Sequence, residues 1–248
     1  MTTTVFPKGP SEPRAADDRL ERLNALTRLQ PASVILETAL TEFGRGLAYV
    51  SSFGAESAVM LRLIADVDRA IPVIFIDTGM HFHQTLQYRD LLTDQLELKD
   101  VRTVQPLSDH LQRYDVAGKL HTSDPDACCE IRKVAPLAPA LEGVEAWITG
   151  RKRSHGGGRV GLSVFEAAEG RFKVNPLLEW GPEDLENFMT VRSLPPHPLT
   201  EQGYPSVGCW PCTVPPVDPR DVRSGRWAGR GKTECGLHLE RRDRPKVF

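Results

Sequence analysis

The sequence lacks any long hydrophobic segment. Its longest apolar run, about residues 70–76, is far shorter than the roughly 20 residues that a bilayer-spanning helix needs. The first twenty residues also lack the apolar core of a secretory signal, so we expect a cytoplasmic protein with no membrane partner. Glycine and proline contribute 20 residues each of the 248, too few for a collagenous or disordered chain. Hydrophobic residues at 40% are enough to build a globular core.

A general excess of basic residues is also missing, because the net charge is −2. The charge is nevertheless uneven. Residues 151–159 carry four Lys or Arg and no acidic residue, and residues 220–248 carry nine Lys or Arg against four Asp or Glu. Two basic islands on an acidic body predict a local anion-binding site. A protein that coats nucleic acid is usually basic more broadly, so we expect no nucleic-acid partner.

Cysteines are few and odd in number, which argues against a disulfide framework. Four of the five form two pairs: Cys128 with Cys129, and Cys209 with Cys212. Four thiolates brought together by folding would form a metal or cluster site. Adjacent cysteines reach one small ion only with strain, whereas the separate irons of a four-iron, four-sulfur (4Fe–4S) cluster can each take one. The pairing therefore favours a 4Fe–4S cluster and leaves structural zinc and reduced core thiols as alternatives.

The fifth cysteine, Cys235, lies in a basic segment near the end of the chain. Nearby cations, among them Arg226, Lys232 and His238, would favour its thiolate, the nucleophilic form. We therefore predict a reactive thiol that is not a cluster ligand. The alternative is a spare surface cysteine on a frayed tail.

Strand-like apolar runs alternate with helix-like segments, which predicts a Rossmann-like α/β fold with a mostly parallel twisted sheet flanked by helices. The predicted strands are 46–52, 72–76, 101–105 and 146–149. The predicted helices are 18–29, 32–43, 58–67, 83–96, 127–141 and 180–192. We divide the chain into a disordered N-terminus (1–17), an α/β nucleotide-binding and cluster domain (18–194) and an irregular C-terminal extension with a mobile tail (195–248).

Three polar loops, 51–57, 77–79 and 150–159, each directly follow a predicted strand. Ligands of parallel sheets bind beyond the carboxyl ends of the strands, so these loops should line one crevice. The first loop, Ser52-Phe-Gly-Ala-Glu-Ser57, precedes a helix whose amino terminus can bind phosphate. It resembles the pyrophosphate loop (SGGxDS, or PP-loop) of the adenine-nucleotide α-hydrolase superfamily, with Phe53 in place of the first glycine.

The full set of motifs resembles the assimilatory adenylyl-sulfate (APS) reductases of the sulfonucleotide (APS/PAPS) reductase family, PAPS being the 3′-phosphorylated nucleotide. The matching segments are SFGAES (52–57), DTG (77–79), CCEIRK (128–133), NPL (175–177), YPSVGCWPC (204–212), RSGRW (223–227) and ECGLH (234–238). The double cysteine, the CxxC and the ECGLH are specific in combination.

The resemblance implies reduction of APS to sulfite and AMP with thioredoxin as the reductant, in sulfate assimilation and cysteine biosynthesis. Cys235 would attack the sulfur of APS and carry an S-sulfocysteine intermediate. The implied ligands of a 4Fe–4S cluster are Cys128, Cys129, Cys209 and Cys212. The implied catalytic contacts to the phosphosulfate are Lys133, Arg223, Arg226 and His238. The implied substrate-binding residues are Ser52, Gly54, Glu56, Ser57, Asp77, Thr78, Gly79, Gly150, Arg151 and Arg159.

Several alternatives remain. PAPS-specific reductases lack the paired cysteines, but PAPS or dual specificity is the nearest rival. An ATP-dependent PP-loop enzyme that thiolates tRNA and a non-catalytic iron–sulfur sensor are further rivals. Individually, Glu56 could cap a helix, Asp77 could fix a turn and His238 could be a solvated tail residue, whereas Trp147 is expected to be core. Ser154 and His155 replace a Gln–Ser pair that is common in the family, and their roles are not assigned. A homo-oligomer is left open.

Overall fold

A six-stranded sheet forms the centre of the protein. The computed structural model describes residues 13–156, 159–218 and 220–238. Within these ranges the strands are β1 (Leu47–Ser51), β2 (Val73–Ile76), β3 (Val101–Val104), β4 (Ala146–Ile148), β5 (Phe165–Ala168) and β6 (Arg171–Val174). Their order across the sheet is β3-β2-β1-β4-β6-β5. All neighbouring pairs are parallel except β5 with β6. This confirms the predicted mostly parallel α/β fold.

The β5–β6 hairpin was not predicted from the sequence. Its two-residue turn consists of Glu169 and Gly170, both with positive φ (53° and 77°). Two positive φ angles match the twist of a tight hairpin, and glycine takes the second position without strain. The hairpin extends the sheet beyond β4.

Helices cover both faces of the sheet. They are α1 (Pro13–Thr27), α2 (Ala32–Phe43), α3 (Ser57–Val67), α4 (His83–Gln95), α5 (Ser108–Tyr114), α6 (Leu120–Ser123), α7 (Pro125–Cys129), α8 (Ala135–Ala140) and α9 (Pro182–Val191). Residues Glu130–Val134 form a π-helical turn that joins α7 to α8, so the predicted helix 127–141 is continuous but not uniform. None of the helices in the described ranges is both long and apolar enough to cross a lipid bilayer.

The predicted N-terminal boundary was wrong by five residues. Helix α1 begins at Pro13, so residues 13–17 are helical and not disordered. Proline is well suited to the first turn of a helix, because a backbone N–H at that position would have no partner within the helix. The Arg-Ala-Ala that follows also favours helix. Residues 1–12 of the predicted disordered segment lie outside the described ranges. The short helices α5 and α6 were also not predicted.

Alternation along the central strands divides the core between the two faces of the sheet. Val73 and Phe75 of β2 pack with α2 and α3 residues on one face, whereas Ile74 and Ile76 pack with α8 and Trp147 on the other. This two-residue period is the geometry of a strand that is buried on both sides. The helices thus hold the carboxyl ends of the strands, and the loops that follow them, in place.

The C-terminal extension contacts helix α4 and the loop that follows β2. Tyr88 donates a hydrogen bond to the Pro195 carbonyl at 2.7 Å, and the Trp210 amide donates to the Met80 carbonyl at 2.9 Å. Isolated bridges join His81 to Cys209 and Thr213 to Arg226. These contacts bring the second cysteine pair to the loop that follows β2.

Candidate active site

A cavity of about 220 Å³ opens at the carboxyl ends of β1, β2 and β4. The three predicted loops each contribute to its wall, together with the C-terminal extension. Most of the predicted catalytic and substrate-binding residues line it. They are Ser52, Gly54, Glu56, Ser57, Thr78, Lys133, Gly150, Arg151, Arg159, Arg223, Arg226, Cys235 and His238. One predicted metal ligand, Cys209, also lines the cavity.

Asp77 and Gly79 are the predicted substrate-binding residues that do not line this cavity. The Gly79 amide donates a hydrogen bond to Oδ1 of Asp77 at 3.0 Å, which confirms the alternative that Asp77 fixes the following turn. Thr78 between them is buried, and its Oγ1 lies 3.3 Å from Sγ of Cys209. The DTG turn therefore presents Thr78 to the site, while Asp77 shapes the backbone.

The loop after β1 bends sharply at Phe53, which has a positive φ of 46°. A glycine would take this conformation freely, so the bend explains why a glycine suits this position in the pyrophosphate-loop pattern. In this chain the phenyl ring is fully buried and packs edge-on against Phe75, with 5.5 Å between centroids. Packing against the core compensates for the backbone strain.

Glu56 does not cap helix α3, because its side chain makes no capping hydrogen bond. Its Oε2 instead lies 2.7 Å from Nζ of Lys152 and 3.5 Å from Nε2 of His155. Burial opposes ionisation of Glu56, but the His155 hydrogen bond and the Lys152 charge outweigh it and lower the pKa of this carboxyl to about 2. The loop after β1 is therefore tied to the loop after β4 by an ionised carboxylate.

Among the residues that the structure describes, six Lys or Arg side chains and two Glu side chains line the cavity. Within the described part of the chain, neither Lys133 nor Arg226 is within ion-pair distance of a carboxylate. Arg226 lies over the Trp227 ring, 4.7 Å from its centroid, and Lys133 lies 5.9 Å from the same ring. Burial alone would lower the pKa of Lys133, but the electrostatic influence of the Cys209, Cys129 and Cys235 side chains raises it above its usual value. Lys133 is thus an ammonium that remains available to an anionic ligand.

The tail carries Cys235 into the same cavity. Glu234, immediately before it, accepts a hydrogen bond from Nε of Arg159 at 2.8 Å, and Nη2 of the same guanidinium forms an ion pair with it at 2.5 Å. Leu237, two residues beyond Cys235, packs against the core around Trp147. Polar and apolar contacts therefore hold the thiol against the cavity from both sides.

His238 is not a solvated tail residue. Its ring stacks on Trp147 at 5.5 Å between centroids, so Trp147 serves the site as well as the core. Its buried Nδ1 has no hydrogen-bond partner within the described ranges. Burial first, and then the charges of Arg151 and Lys173, hold the pKa of His238 well below its ordinary value. The imidazole is therefore neutral at pH 7.

Comparison with known proteins identifies the family. Residues 46–215 match the family model described as the phosphoadenosine phosphosulfate reductase domain, which is more than half of the chain. The chain belongs to this reductase family. An adenosine 5′-phosphosulfate reductase of Mesorhizobium japonicum is 48% identical over 211 residues, covering 85% of this chain and 83% of the relative. An enzyme of the same name from a Chelativorans species is 46% identical over 233 residues, covering 92% and 95%.

A solved structure supports the fold of this reductase family member. The crystal structure of phosphoadenylyl-sulfate (PAPS) reductase from Candida auris, in a phosphate complex, superimposes with a TM-score of 0.69 at 24% identity. The superposition covers 86% of this chain and all of the other. At this identity the likeness concerns the fold.

Cys128 and Cys209, one from each cysteine pair of this reductase, pack in one buried cluster with Met80. Burial, and then the charges of Cys129, Cys209 and Cys212, raise the pKa of Cys128 to about 12. Burial likewise raises the pKa of Cys129 to about 11, although Lys133 opposes the effect. As placed, no group of three or more His, Cys, Asp or Glu side chains in the described ranges surrounds a single metal-ion position. Four soft donors on two elements suit a cluster with separate irons better than one small ion.

Sequence reasoning missed several residues of the site. Lys152 is buried, and its pairing with Glu56 could not be predicted because it depends on how two loops meet. Glu166 of the unpredicted hairpin pairs with Arg151, and its Oε2 accepts from Nδ2 of Asn175 at 2.9 Å. Asn175 of the NPL segment thus acts behind the cavity wall, whereas Leu177 lines the cavity. Lys152 lies in the basic segment 151–159, and this position in the sequence was the feature that could have identified it as a site residue.

Proposed function

We propose that this protein reduces adenosine 5′-phosphosulfate to sulfite and AMP, with thioredoxin as the reductant, in sulfate assimilation and cysteine biosynthesis. The observation that supports the proposal is that Cys235 lines the same cavity as the loop of residues 52–57, which we call the nucleotide loop, and as six cationic side chains of the described residues. The names of the relatives from Mesorhizobium and Chelativorans support APS as the nucleotide.

In the first step, the Cys235 thiolate attacks the sulfur of the sulfate group. An S–S bond forms, the bond between this sulfur and the phosphate oxygen breaks, and AMP leaves with that electron pair. The product on the protein is an S-sulfocysteine. Repulsion between a thiolate and an anionic sulfate opposes this step unless cations offset both charges. Lys133 and Arg226 are well placed to do so, because neither is paired with a carboxylate in the described ranges.

In the second step, one thioredoxin thiolate attacks Sγ of Cys235 and sulfite leaves with the electrons of the broken S–S bond. The second thioredoxin thiol then resolves the mixed disulfide and restores the Cys235 thiol. The two electrons that the reaction consumes thus come from thioredoxin, which ends as a disulfide. Because both partners need free thiols, we place the reaction in the cytoplasm. Cys235 is half-buried, so the tail must move outward to meet thioredoxin.

We further propose that Cys128, Cys129, Cys209 and Cys212 hold a 4Fe–4S cluster. The packing of Cys128 with Cys209 beside Met80, and the burial of Cys128, Cys129 and Cys209, support this assignment. When bound, such a cluster would join the α7 segment to the extension and place its charge beside Lys133. Cluster binding must displace the protons of the cysteine thiols. The raised pKa values of Cys128 and Cys129 mean that both thiols are protonated at neutral pH before the cluster binds.

Intact-mass measurement after mixing the protein with APS, in the absence of thioredoxin, tests the proposed reaction. We expect a sulfonate mass increase on Cys235 that thioredoxin removes, and no increase in Cys235→Ser. A modification on another residue, or normal sulfite release by Cys235→Ser, would contradict the proposal. Turnover of APS and PAPS should be compared in the same assay, and preference for PAPS would reassign the substrate.

Iron and sulfide content, with visible absorption, tests the cofactor. We expect four irons and four sulfides for each chain, and loss of both in Cys209→Ser. Stoichiometric zinc without sulfide would refute the cluster.

A further inference from the structure

A continuous chain of polar contacts joins the nucleotide loop to the catalytic tail through His155. Nε2 of His155 lies 3.5 Å from Oε2 of Glu56. On the other side of the ring, Nδ1 lies 2.9 Å from Nη1 of Arg159. Nε and Nη2 of the same guanidinium lie 2.8 and 2.5 Å from Oε1 of Glu234, the residue before Cys235.

The partners of His155 fix the position of its proton. A guanidinium only donates hydrogen bonds, so Nδ1 must accept from Arg159 and cannot carry a proton. The single proton of the neutral ring then lies on Nε2, where the Glu56 carboxylate can accept it. A doubly protonated ring would direct an N–H from Nδ1 at the Arg159 guanidinium. The contact between His155 and Arg159 therefore requires the neutral imidazole.

We propose that neutral His155 is a positioning residue, which orients Arg159 and thereby holds Glu234 and the Cys235 tail against the nucleotide loop. Its effect on catalysis rests on the proposed function, since the thiol must be delivered to a nucleotide bound at that loop. Protonation of His155 would break the chain of contacts at Arg159 and loosen the tail.

The charged surroundings favour the neutral ring at physiological pH. Burial lowers the pKa of His155, the Glu56 carboxylate raises it, and Lys152 and Arg159 lower it, with a net decrease from the ordinary value of 6.5. These groups come from the nucleotide loop and from the loop that contains His155, and the tail meets this cluster through Glu234 and Arg159. Loosening is therefore expected only as the pH falls below 6.5.

Glutamine is the matched substitution at this position. Its amide oxygen can accept from Arg159 and its amide nitrogen can donate to Glu56, but it does not titrate. His155→Gln should therefore keep the chain of contacts and remove its pH dependence. His155→Ala should remove the chain of contacts altogether.

The rate at which iodoacetamide alkylates Cys235 in the cluster-loaded protein measures tail docking without any nucleotide. Mass spectrometry locates the label. At pH 8 we expect His155→Ala to react about tenfold faster than wild type, as the loss of one charge-assisted hydrogen bond implies. His155→Gln should react at the wild-type rate. Equal rates for His155→Ala and wild type would overturn the proposal.

The pH profile of kcat/KM for APS provides the second readout. We expect the acid-side loss of activity below pH 6.5 to be smaller in His155→Gln than in wild type, because in the variant only protonation of the Cys235 thiolate remains to cause it. An unchanged acid limb in His155→Gln would overturn the titration of His155 as its cause. A wild-type protein that never releases sulfite from APS would end the proposed function, whereas the alkylation comparison would still decide the role of His155.

Discussion

At the scale of single residues, the site depends on the close approach of the Arg226 guanidinium to the backbone at Val207 and Gly208. Arg226 donates from Nη1 to the Val207 carbonyl at 3.1 Å, and its guanidinium lies against Gly208. A Cβ on Gly208 would overlap that guanidinium. Glycine at this position therefore leaves the space in which the Arg226 guanidinium lies flat on the chain at the cavity wall.

Gly208→Ala should displace Arg226 from the cavity. We expect kcat/KM for APS to fall by about tenfold to a hundredfold, the range for losing a hydrogen bond to a charged group. The melting temperature should change little, since Arg226 can move outward. Gly161→Ala, where a Cβ meets nothing within 4 Å, is the matched control and should keep wild-type activity. Wild-type kinetics in Gly208→Ala would show that the position of Arg226 does not matter.

Most residues of the site could be predicted from their amino-acid type and from the motifs that contain them. Cys235, Lys133, Arg226 and the other cavity cations could be predicted because their chemistry is specific and their motifs are spaced in a recognisable way. The pairing of Arg159 with Glu234 could not, because 75 positions separate them and the contact arises from how the tail folds back. Sequence indicates which groups are reactive, whereas partners depend on packing.

At the scale of elements, one buried ion pair anchors the segment that carries the double cysteine. Arg132, in the π turn after Cys129, pairs with Asp115 at 2.6 Å and donates to the Thr78 carbonyl at 2.8 Å. The Asp115 side chain is 1% exposed and that of Arg132 is 9% exposed. The pair thus joins the loop before α6, the turn after β2 and the π turn.

Removing one partner of this pair should cost much more than a surface change. Asp115→Ala leaves a buried guanidinium without its carboxylate, and we expect the free energy of unfolding to fall by about 3–5 kcal/mol. Urea denaturation of the same cofactor-loaded preparation measures the effect. Asp94→Ala, on the exposed side of α4, should change the free energy by less than about 0.5 kcal/mol. Similar values for the two variants would show that the pair does not anchor this segment.

The elements that sequence failed to predict share a physical cause. Strands β5 and β6 are Phe-Glu-Ala-Ala and Arg-Phe-Lys-Val, and alanine, glutamate and lysine have little intrinsic preference for strand. They form a hairpin because β4 offers a free edge and because Phe165 and Phe172 pack beside Phe43. Strands β1 and β2 could be predicted from sequence alone, since continuous apolar runs are typical of strands that are buried on both faces.

At the scale of the whole molecule, positive charge is concentrated around the cavity, whereas the chain as a whole has a small negative net charge. The net charge of the chain is −2, yet its described residues place six Lys or Arg and two Glu around one cavity. With Lys152, Arg159 and Arg151 paired to Glu56, Glu234 and Glu166, the charges of Lys133 and Arg226 dominate the local field. An anionic ligand is therefore drawn to the cavity even though the protein as a whole repels it.

Salt should weaken the binding of a ligand that carries a phosphate more than the binding of one that does not. Raising the ionic strength from about 0.05 M to about 0.5 M shortens the range of electrostatic interaction, so the Kd of AMP should rise severalfold. Adenosine, which has no phosphate, is the matched ligand, and its Kd should change by less than about twofold over the same range. Isothermal titration of both ligands at matched pH measures the difference. If AMP and adenosine responded equally to salt, the cations of the cavity would not be what holds the phosphate, and the charge separation of the molecule would have no part in binding.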